Sequence, residues 1–574
     1  MILSSLKGAP FHDGGGQDVA TFLMSDADCP LPPKAVWVNF VPNMAERVGF
    51  EPTMRLPLYR FSSSTLVVGA CTLTAGMLHI VNPLLEGEKE MPARSGKEYI
   101  LRLKEHPREV WLDGEHVSDV TTHPAFRNGV KSIAALYDMQ NDPALLEEMT
   151  FHSPSTGQPV GLSFLIPETM EDLVRRRLMM ERWAWASCGM MGRSPDFLNV
   201  IFSAWAGAGD YFAQDRPEFK QNVINYHNFI RENDVALTHA LVNLQRSRSP
   251  GANDVLSDQV ALTVVDESDY GIVVRGSKVL ATLGPISDEI AVYPVASHGL
   301  GKDASRQSFS FSIPCDTPGL KFLCRESFDL GRSHFDHPLG SRFDEMDATV
   351  FFDDVQVPWE RVFLLGDVEL CNNYGAVTQS NAHTGHQILT RCVVKSEFIL
   401  GLADLIVETL GSGTIPHVQE QVAELITHRD LMRACLRAAE ADSTLNRWGV
   451  MTPSAGPIQA GRALFGRTAY PRMIEIIQLL ATSSLLALPA EADFNTPLAP
   501  EIDKYMSTDA ASARDRAQLF HLAWDVACSS FSGRQVLYER MFGGNPVRNA
   551  TMLFNSYDKE PFRQRVRDFL KSDT

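Results

Sequence analysis

Gly271-Ile272-Val273-Val274-Arg275-Gly276-Ser277-Lys278-Val279-Leu280 decides the fold, because β-branched residues crowd together here after a long helix-favouring run. The two halves of this stretch predict two strands joined by a tight turn. Downstream, Phe309, Phe311 and Ile313 alternate with serines, and Ala348 to Val357 reads as a further strand. The middle of the chain is therefore expected to be β.

On the N-terminal side, Lys97 to about Val235 reads as mostly helical. Glu171 to Met191 and Pro217 to Glu232 carry strong helix formers, and Asp196 interrupts the run. Beyond Gly366 the helical period returns, with Val418, Val422, Leu425, Met432 and Leu436 on one face. This order predicts a mainly α protein with a central β-barrel clasped between two helical layers, and a crevice where the three meet. The expected divisions are 1–90, 91–235, 236–366 and 367–574. In the first of these, Gly14-Gly15-Gly16, Pro30-Leu31-Pro32-Pro33 and Ser62-Ser63-Ser64 break any period. It reads as an irregular extension ahead of an enzyme that starts near Met91, and no function is given to it.

The chain has 574 residues, 44% hydrophobic and 21% charged, enough to bury substantial cores. A formal charge of −18 repels a phosphate backbone, so nucleic acid is not an expected partner. Nine cysteines without a Cys-x-x-Cys pair fit a reducing, cytoplasmic setting. The most apolar early stretch, Leu66 to Val81, includes Thr72, Thr74 and His79 and is too short for a membrane helix. No membrane partner is expected.

Two segments carry the chemistry: Gly192-Arg193-Ser194-Pro195-Asp196-Phe197 and Thr238-His239-Ala240-Leu241. Pro195 and Asp196 restrict the turn after Arg193, and Asp196 is expected to cap the next helix. A positioned guanidinium beside a phenol lowers a pKa near 10 by about 1 to 3 units, favouring phenolate. The competing reading is an arginine paired with a neighbouring carboxylate. His239, among Ala236, Leu237, Ala240 and Leu241, is either a hydrogen-bonding group for a substrate oxygen or a satisfied core histidine. Gln245, Arg248 and Thr282 offer donors suited to a flavin edge, and Asn545-Pro546-Val547-Arg548 adds a cation for a pyrophosphate. Gly207-Ala208-Gly209 lacks a third glycine and a preceding strand, so no nicotinamide domain is visible. His383, His386 and Cys392 have no accompanying ligand set, and no metal site is expected.

Several motifs in one order resemble a known family. They are Thr121-Thr122-His123-Pro124-Ala125-Phe126-Arg127, Gly189 to Asp196, Thr238 to Leu241, Phe335-Asp336-His337-Pro338-Leu339 and Val357-Pro358-Trp359-Glu360-Arg361-Val362. From about Met91 onward the chain resembles the oxygenase component of the 4-hydroxyphenylacetate 3-monooxygenase family, reduced-flavin-dependent two-component phenol hydroxylases. The resemblance implies an acyl-CoA dehydrogenase-like fold whose C-terminal four-helix bundle assembles a homotetramer. It implies FADH2 from a separate NAD(P)H:flavin reductase, O2 as co-substrate, and hydroxylation ortho to a phenolic hydroxyl through a flavin C4a-hydroperoxide. It further implies that Arg193 and His239 bind the phenolic oxygen. His239, Ala240, Leu241, Gln245, Arg246, Ser247, Arg248, Thr282, Asn545, Pro546, Val547 and Arg548 would line the flavin. Phe197 stands where the family's hydroxyphenylacetate enzymes have tyrosine, and Val295-Ala296 stands where two hydroxyl residues meet the substrate carboxylate. A phenol other than 4-hydroxyphenylacetate is the expected substrate. The alternatives are a 4-hydroxybutyryl-CoA dehydratase-like lyase, an acyl-CoA dehydrogenase-like flavoenzyme, and a non-catalytic flavin-binding assembly protein.

Overall fold

The structure, a computed structural model, describes residues 93–244, 260–294, 300–301, 304–542 and 546–571. The irregular extension over 1–90 lies outside the described residues. Residues 88–574 belong to one compact unit.

The front of this unit is helical: α1 (Gly96–Glu105), α2 (Arg127–Gln140), α3 (Met170–Ala186), α4 (Asp196–Gly207) and α5 (Pro217–Glu232). α1 and α3 each open on a reciprocal capping box, Ser95 with Glu98 and Thr169 with Asp172, which satisfies backbone donors that a helix start leaves open. The expected cap by Asp196 is not formed. Pro195 occupies that position, and Asp196 is the first helical residue. Its carboxylate instead accepts from Ser194 Oγ (2.5 Å) and Gln387 Nε2 (3.0 Å), with burial raising its pKa to about 6.

Two open sheets occupy the centre. The strands are β1 (Glu109–Leu112), β2 (Glu115–Val117), β3 (Thr150–His152), β4 (Pro159–Gly161), β5 (Leu237–Ala240), β6 (Thr263–Glu267), β7 (Gly271–Thr282), β8 (Glu289–Val292), β9 (Phe309–Pro314), β10 (Leu320–Cys324), β11 (Asp347–Pro358) and β12 (Val362–Leu365). One sheet runs β2-β1-β10-β11-β7-β6 and the other β12-β9-β8-β5, with β3 and β4 a separate pair. The expected barrel is corrected: among the described residues each sheet keeps two unpaired edges, and the two face each other rather than closing. Thr238 Oγ1 on β5 donates to the Thr282 carbonyl at the end of β7 (2.7 Å), and the Phe311 and Phe352 rings meet edge-on at 6.5 Å. The β1–β2 hairpin reaches in from the helical front and joins β10 in parallel. The opening stretch is also corrected, since Gly271 to Thr282 is one long strand rather than a hairpin. Gly276 sits at φ +133° where a Cβ would lie 2.4 Å from the Ala261 carbonyl oxygen; the glycine admits a neighbouring chain.

The C-terminal half comprises α6 (Val368–Val377), α7 (Ser380–Thr409), α8 (Pro416–Ala441), α9 (Ala455–Leu464), α10 (Tyr470–Ala481), α11 (Ala513–Ala527), α12 (Ser530–Met541), α13 (Pro546–Ser556) and α14 (Glu560–Lys571). Central among them is α7, buried from Ala382 to Ser396 and packed against α3, α4, α8, α9 and α10. The stripe expected on α8 is buried at Val418, Leu425, Met432 and Leu436. Between α9 and α10 the backbone widens to a π-helical turn over Phe465–Ala469, where a Cβ on Gly466 would lie 2.2 Å from the Glu539 carbonyl oxygen. Among the described residues no helix is long and apolar enough to cross a membrane.

Candidate active site

The turn after α3 fixes Arg193 from several directions. Gly192 leaves room for Tyr538, whose Oη would lie 2.0 Å from an added Cβ. The Arg193 backbone N–H donates to Glu345 Oε1 (2.7 Å), and Arg534 holds the other oxygen of that carboxylate (2.8 Å). The guanidinium donates from Nε to His239 Nε2 (3.0 Å) and from Nη1 to Tyr538 Oη (2.6 Å). Phe197 and Phe542 stack on it, their ring centres 4.0 and 4.3 Å from its central carbon. Among the described residues no carboxylate pairs with the Arg193 side chain, unlike the competing reading of the sequence.

His239 stands in β5, all four of whose residues are buried because a layer covers each face. A guanidinium only donates, so Nε2 must carry the lone pair and Nδ1 the proton. That Nδ1–H donates to Tyr293 Oη at 2.9 Å. Burial first, then the Arg193 charge, holds the imidazole pKa well below 6.5, so it is neutral. Phe197 meets the imidazole edge-on at 5.5 Å.

Arg193, Phe197, His239, Leu241 and Tyr293 line one cavity of about 1030 Å³ that continues between the sheets and the C-terminal helices to Arg462, Phe542 and Pro546. Three expected flavin residues are not on its wall: Ala240 is fully buried, the Thr282 hydroxyl donates to Asp347 Oδ1 (2.7 Å), and Val547 is exposed beside Pro546. Gln245, Arg246, Ser247, Arg248, Val295, Ala296 and Asn545 lie outside the described residues, as does the side chain of Arg548.

Among the described residues no three His, Cys, Asp or Glu side chains are grouped to hold a metal ion. His383 Nδ1 accepts from Arg176 Nη2 (2.7 Å), and His386 pairs with Glu440 (2.9 Å), both histidines fully buried. Sequence reasoning missed Tyr293, Tyr538, Phe542 and Arg462. The four-residue spacing of Tyr538 and Phe542, whose rings stack at 4.7 Å, was the one local signal.

Two family models match the chain, 4-hydroxyphenylacetate 3-hydroxylase N terminal over residues 95–364 and C terminal over 371–571. The 4-hydroxyphenylacetate 3-monooxygenase oxygenase component of Thermus thermophilus is 45% identical over 479 residues, covering 83% of this chain and 98% of its own. A crystal structure of such an oxygenase component complexed with FAD and 4-hydroxyphenylacetate superposes with a TM-score of 0.80 at 45% identity, again over 83% and 98% of the two chains. An archaeal 4-hydroxybutyryl-CoA dehydratase from N. maritimus shares the fold at 19% identity, with a TM-score of 0.74 over 84% of this chain and 95% of that one. The matched models and the 45% identity along nearly all of a relative make this chain a member of the 4-hydroxyphenylacetate 3-hydroxylase family.

Proposed function

We propose that this chain is the oxygenase component of a two-component flavin monooxygenase, hydroxylating a phenol ortho to its hydroxyl group. FADH2 comes from a separate NAD(P)H:flavin reductase, and O2 is the co-substrate. One observation carries the reading: Arg193 and His239 stand 3.0 Å apart on the wall of one cavity.

The cavity suits the flavin. At about 1030 Å³ it reaches the upper end of ligand pockets, and its wall carries Arg193, Arg462, Arg467 and Arg540 in a chain of net charge −18. A dinucleotide pyrophosphate fits that cationic lining. Leu241 and Pro546 would lie along it, with Gln245 to Arg248, Asn545 and Arg548 completing the set. When bound, the reduced flavin activates oxygen and supplies the atom transferred.

The side chains handle the phenol. Nε and Nη1 of Arg193 are committed to His239 and Tyr538, leaving Nη2 to meet the phenolic oxygen. The guanidinium favours phenolate there, which makes the ring a better nucleophile toward oxygen. His239 is neutral and set against a cation, so protonating it is unfavourable. Its part is to hold Arg193 in place and orient the phenol. Phe197 and Phe542 keep water from the reacting face. Neither Val295 nor Ala296 has a hydroxyl for a carboxylate, so the proposal is for the phenol class rather than one phenol. The expected homotetramer is supported by α14, on which Phe562, Val566 and Leu570 stand exposed.

The test supplies FADH2 from an unrelated reductase together with a panel of substituted phenols. Catechol formation is expected with at least one. Hydrogen peroxide as the sole product with every phenol would reject the reading.

A further inference from the structure

Arg462 lines the cavity together with Arg193 and is half-buried there, whereas Arg467 and Arg540, which also line it, are exposed. Among the described residues its guanidinium donates no hydrogen bond that any neighbour accepts and forms no ion pair, although its side chain lines the cavity. Its stem runs along α7, with Cδ 3.8 Å from where a Cβ of Gly385 would sit. The absent side chain at 385 makes room for Ile458, one turn before Arg462, whose Cγ2 would lie 2.3 Å from that Cβ, and the arginine stem passes the same point at ordinary contact distance. Arg193 stands near enough for the two positive charges to repel, and together with burial this lowers the Arg462 pKa. Neither lining carboxylate pairs with it: Glu539 is held by Arg391 and Lys395, and Asp442, which is exposed, forms no ion pair with Arg462.

We infer that Arg462 is the anion-binding residue of this cavity, receiving a carboxylate or phosphate oxyanion of a ligand that also lies against Arg193. The inference rests on the proposed function for the identity of the ligands and goes beyond it in naming the residue that holds their charge. A cation kept without a partner in a confined site is costly unless a ligand completes it. Two ligands of that reading bring an oxyanion, the flavin through its phosphates and an acidic phenol through its carboxylate. Either occupant explains the arginine. For an acidic phenol, Arg462 would replace the hydroxyl donors that Val295 and Ala296 do not provide.

Arg462→Met, which keeps the length of the stem, tests this without turnover. Dissociation constants are measured by titration for two pairs of probes, FAD against riboflavin and 4-hydroxyphenylacetate against 4-methylphenol, the phenols with FAD present. Weakening of about ten- to a hundred-fold is expected for the charged member of one pair, with its uncharged counterpart unmoved. Movement of the flavin pair assigns Arg462 to the phosphates, and movement of the phenol pair assigns it to the substrate carboxylate. Four unchanged constants, or equal weakening within both pairs, would overturn the inference. Thermal unfolding gives a second readout, because a residue without partners loses nothing: the midpoint should hold or rise, and a fall of several degrees would assign Arg462 to the scaffold instead. A wild-type chain that binds these probes yet hydroxylates no phenol would fail the proposed function while leaving this inference standing.

Discussion

Arg391 and Arg193 both face α12, yet one is saturated by acid and the other is held by neutral groups. Arg391 donates to both oxygens of Glu539 (2.5 and 2.8 Å), while Lys395 donates to Glu539 (2.8 Å) and Gln535 (2.7 Å). All the side chains of the Arg391, Lys395 and Glu539 cluster are at most 2% exposed. One residue earlier on the same helix, Tyr538 offers Arg193 only a phenol, and His239 only a neutral lone pair. In the first cluster a buried carboxylate meets the arginine and joins α7 to α12. The second leaves positive charge facing a cavity. Pairing with an acid therefore separates the arginines that hold this fold together from those placed for a ligand.

Removing the acid from the Arg391, Lys395 and Glu539 cluster should have the largest effect. Glu539→Ala leaves two buried cations unpaired and is expected to cost about 3 to 5 kcal/mol of stability, measured by urea denaturation. The two cations hold the Glu539 pKa down at about 2, from an ordinary value of 4.5. Its contribution is thus complete above about pH 4.5 and is lost as the pH falls through that window toward 2. Unfolding curves of Glu539→Gln should lack this part of the acid dependence; an identical pH profile would remove Glu539 from the ion-paired cluster.

On the other side of the comparison, Arg193→Ala should spare stability and cost about 2 to 4 kcal/mol in kcat/KM for coupled hydroxylation. Unchanged catechol yield per flavin oxidised would take Arg193 out of the reaction. Gly192→Ala links the two regions, since its Cβ would displace the Tyr538 hydroxyl 2.0 Å away. Overpacking of this kind is expected to cost about 1 to 3 kcal/mol, read from the thermal midpoint, and to lower activity alongside.

The smallest expected change is Tyr293→Phe, which removes the acceptor for the His239 Nδ1–H. A loss of about 1 kcal/mol, roughly five-fold in kcat/KM, is expected, with the Nδ1–H tautomer retained in nitrogen-15 NMR because Arg193 still donates to Nε2. A switch to the Nε2–H tautomer would mean that Tyr293 rather than Arg193 fixes the ring.

Local patterns carried much of this architecture. The helical stripe on α8 and the β character of β7 follow from periodicity: Val418, Leu425, Met432 and Leu436 are buried with Val422 partly so, and the β-branched run is a strand. The hairpin reading of β7 failed because a glycine within a strand looks like a turn until the neighbouring Ala261 backbone is seen against it. The barrel reading failed for a related reason. Strand propensity says which residues pair, whereas closure depends on whether edges such as β2 and β6 find each other, and they do not. At the site, Arg193, Phe197 and His239 stood out because turn chemistry and an apolar setting are local signals. Tyr538 offered only its spacing to Phe542 and Arg462 no signal at all, as their neighbours come from the turn after α3 and from α7, far away along the chain.

What the sequence determined by itself was the helical and β character of each segment, the family, and the arginine and histidine at its centre, because backbone preferences and contiguous motifs are written in adjacent residues. The tertiary structure alone decided that the sheets stay open, that His239 is the neutral Nδ1–H tautomer, and which arginines have acids to meet. Those outcomes depend on burial and on distances of a few ångströms between residues hundreds of positions apart, and no local pattern encodes either.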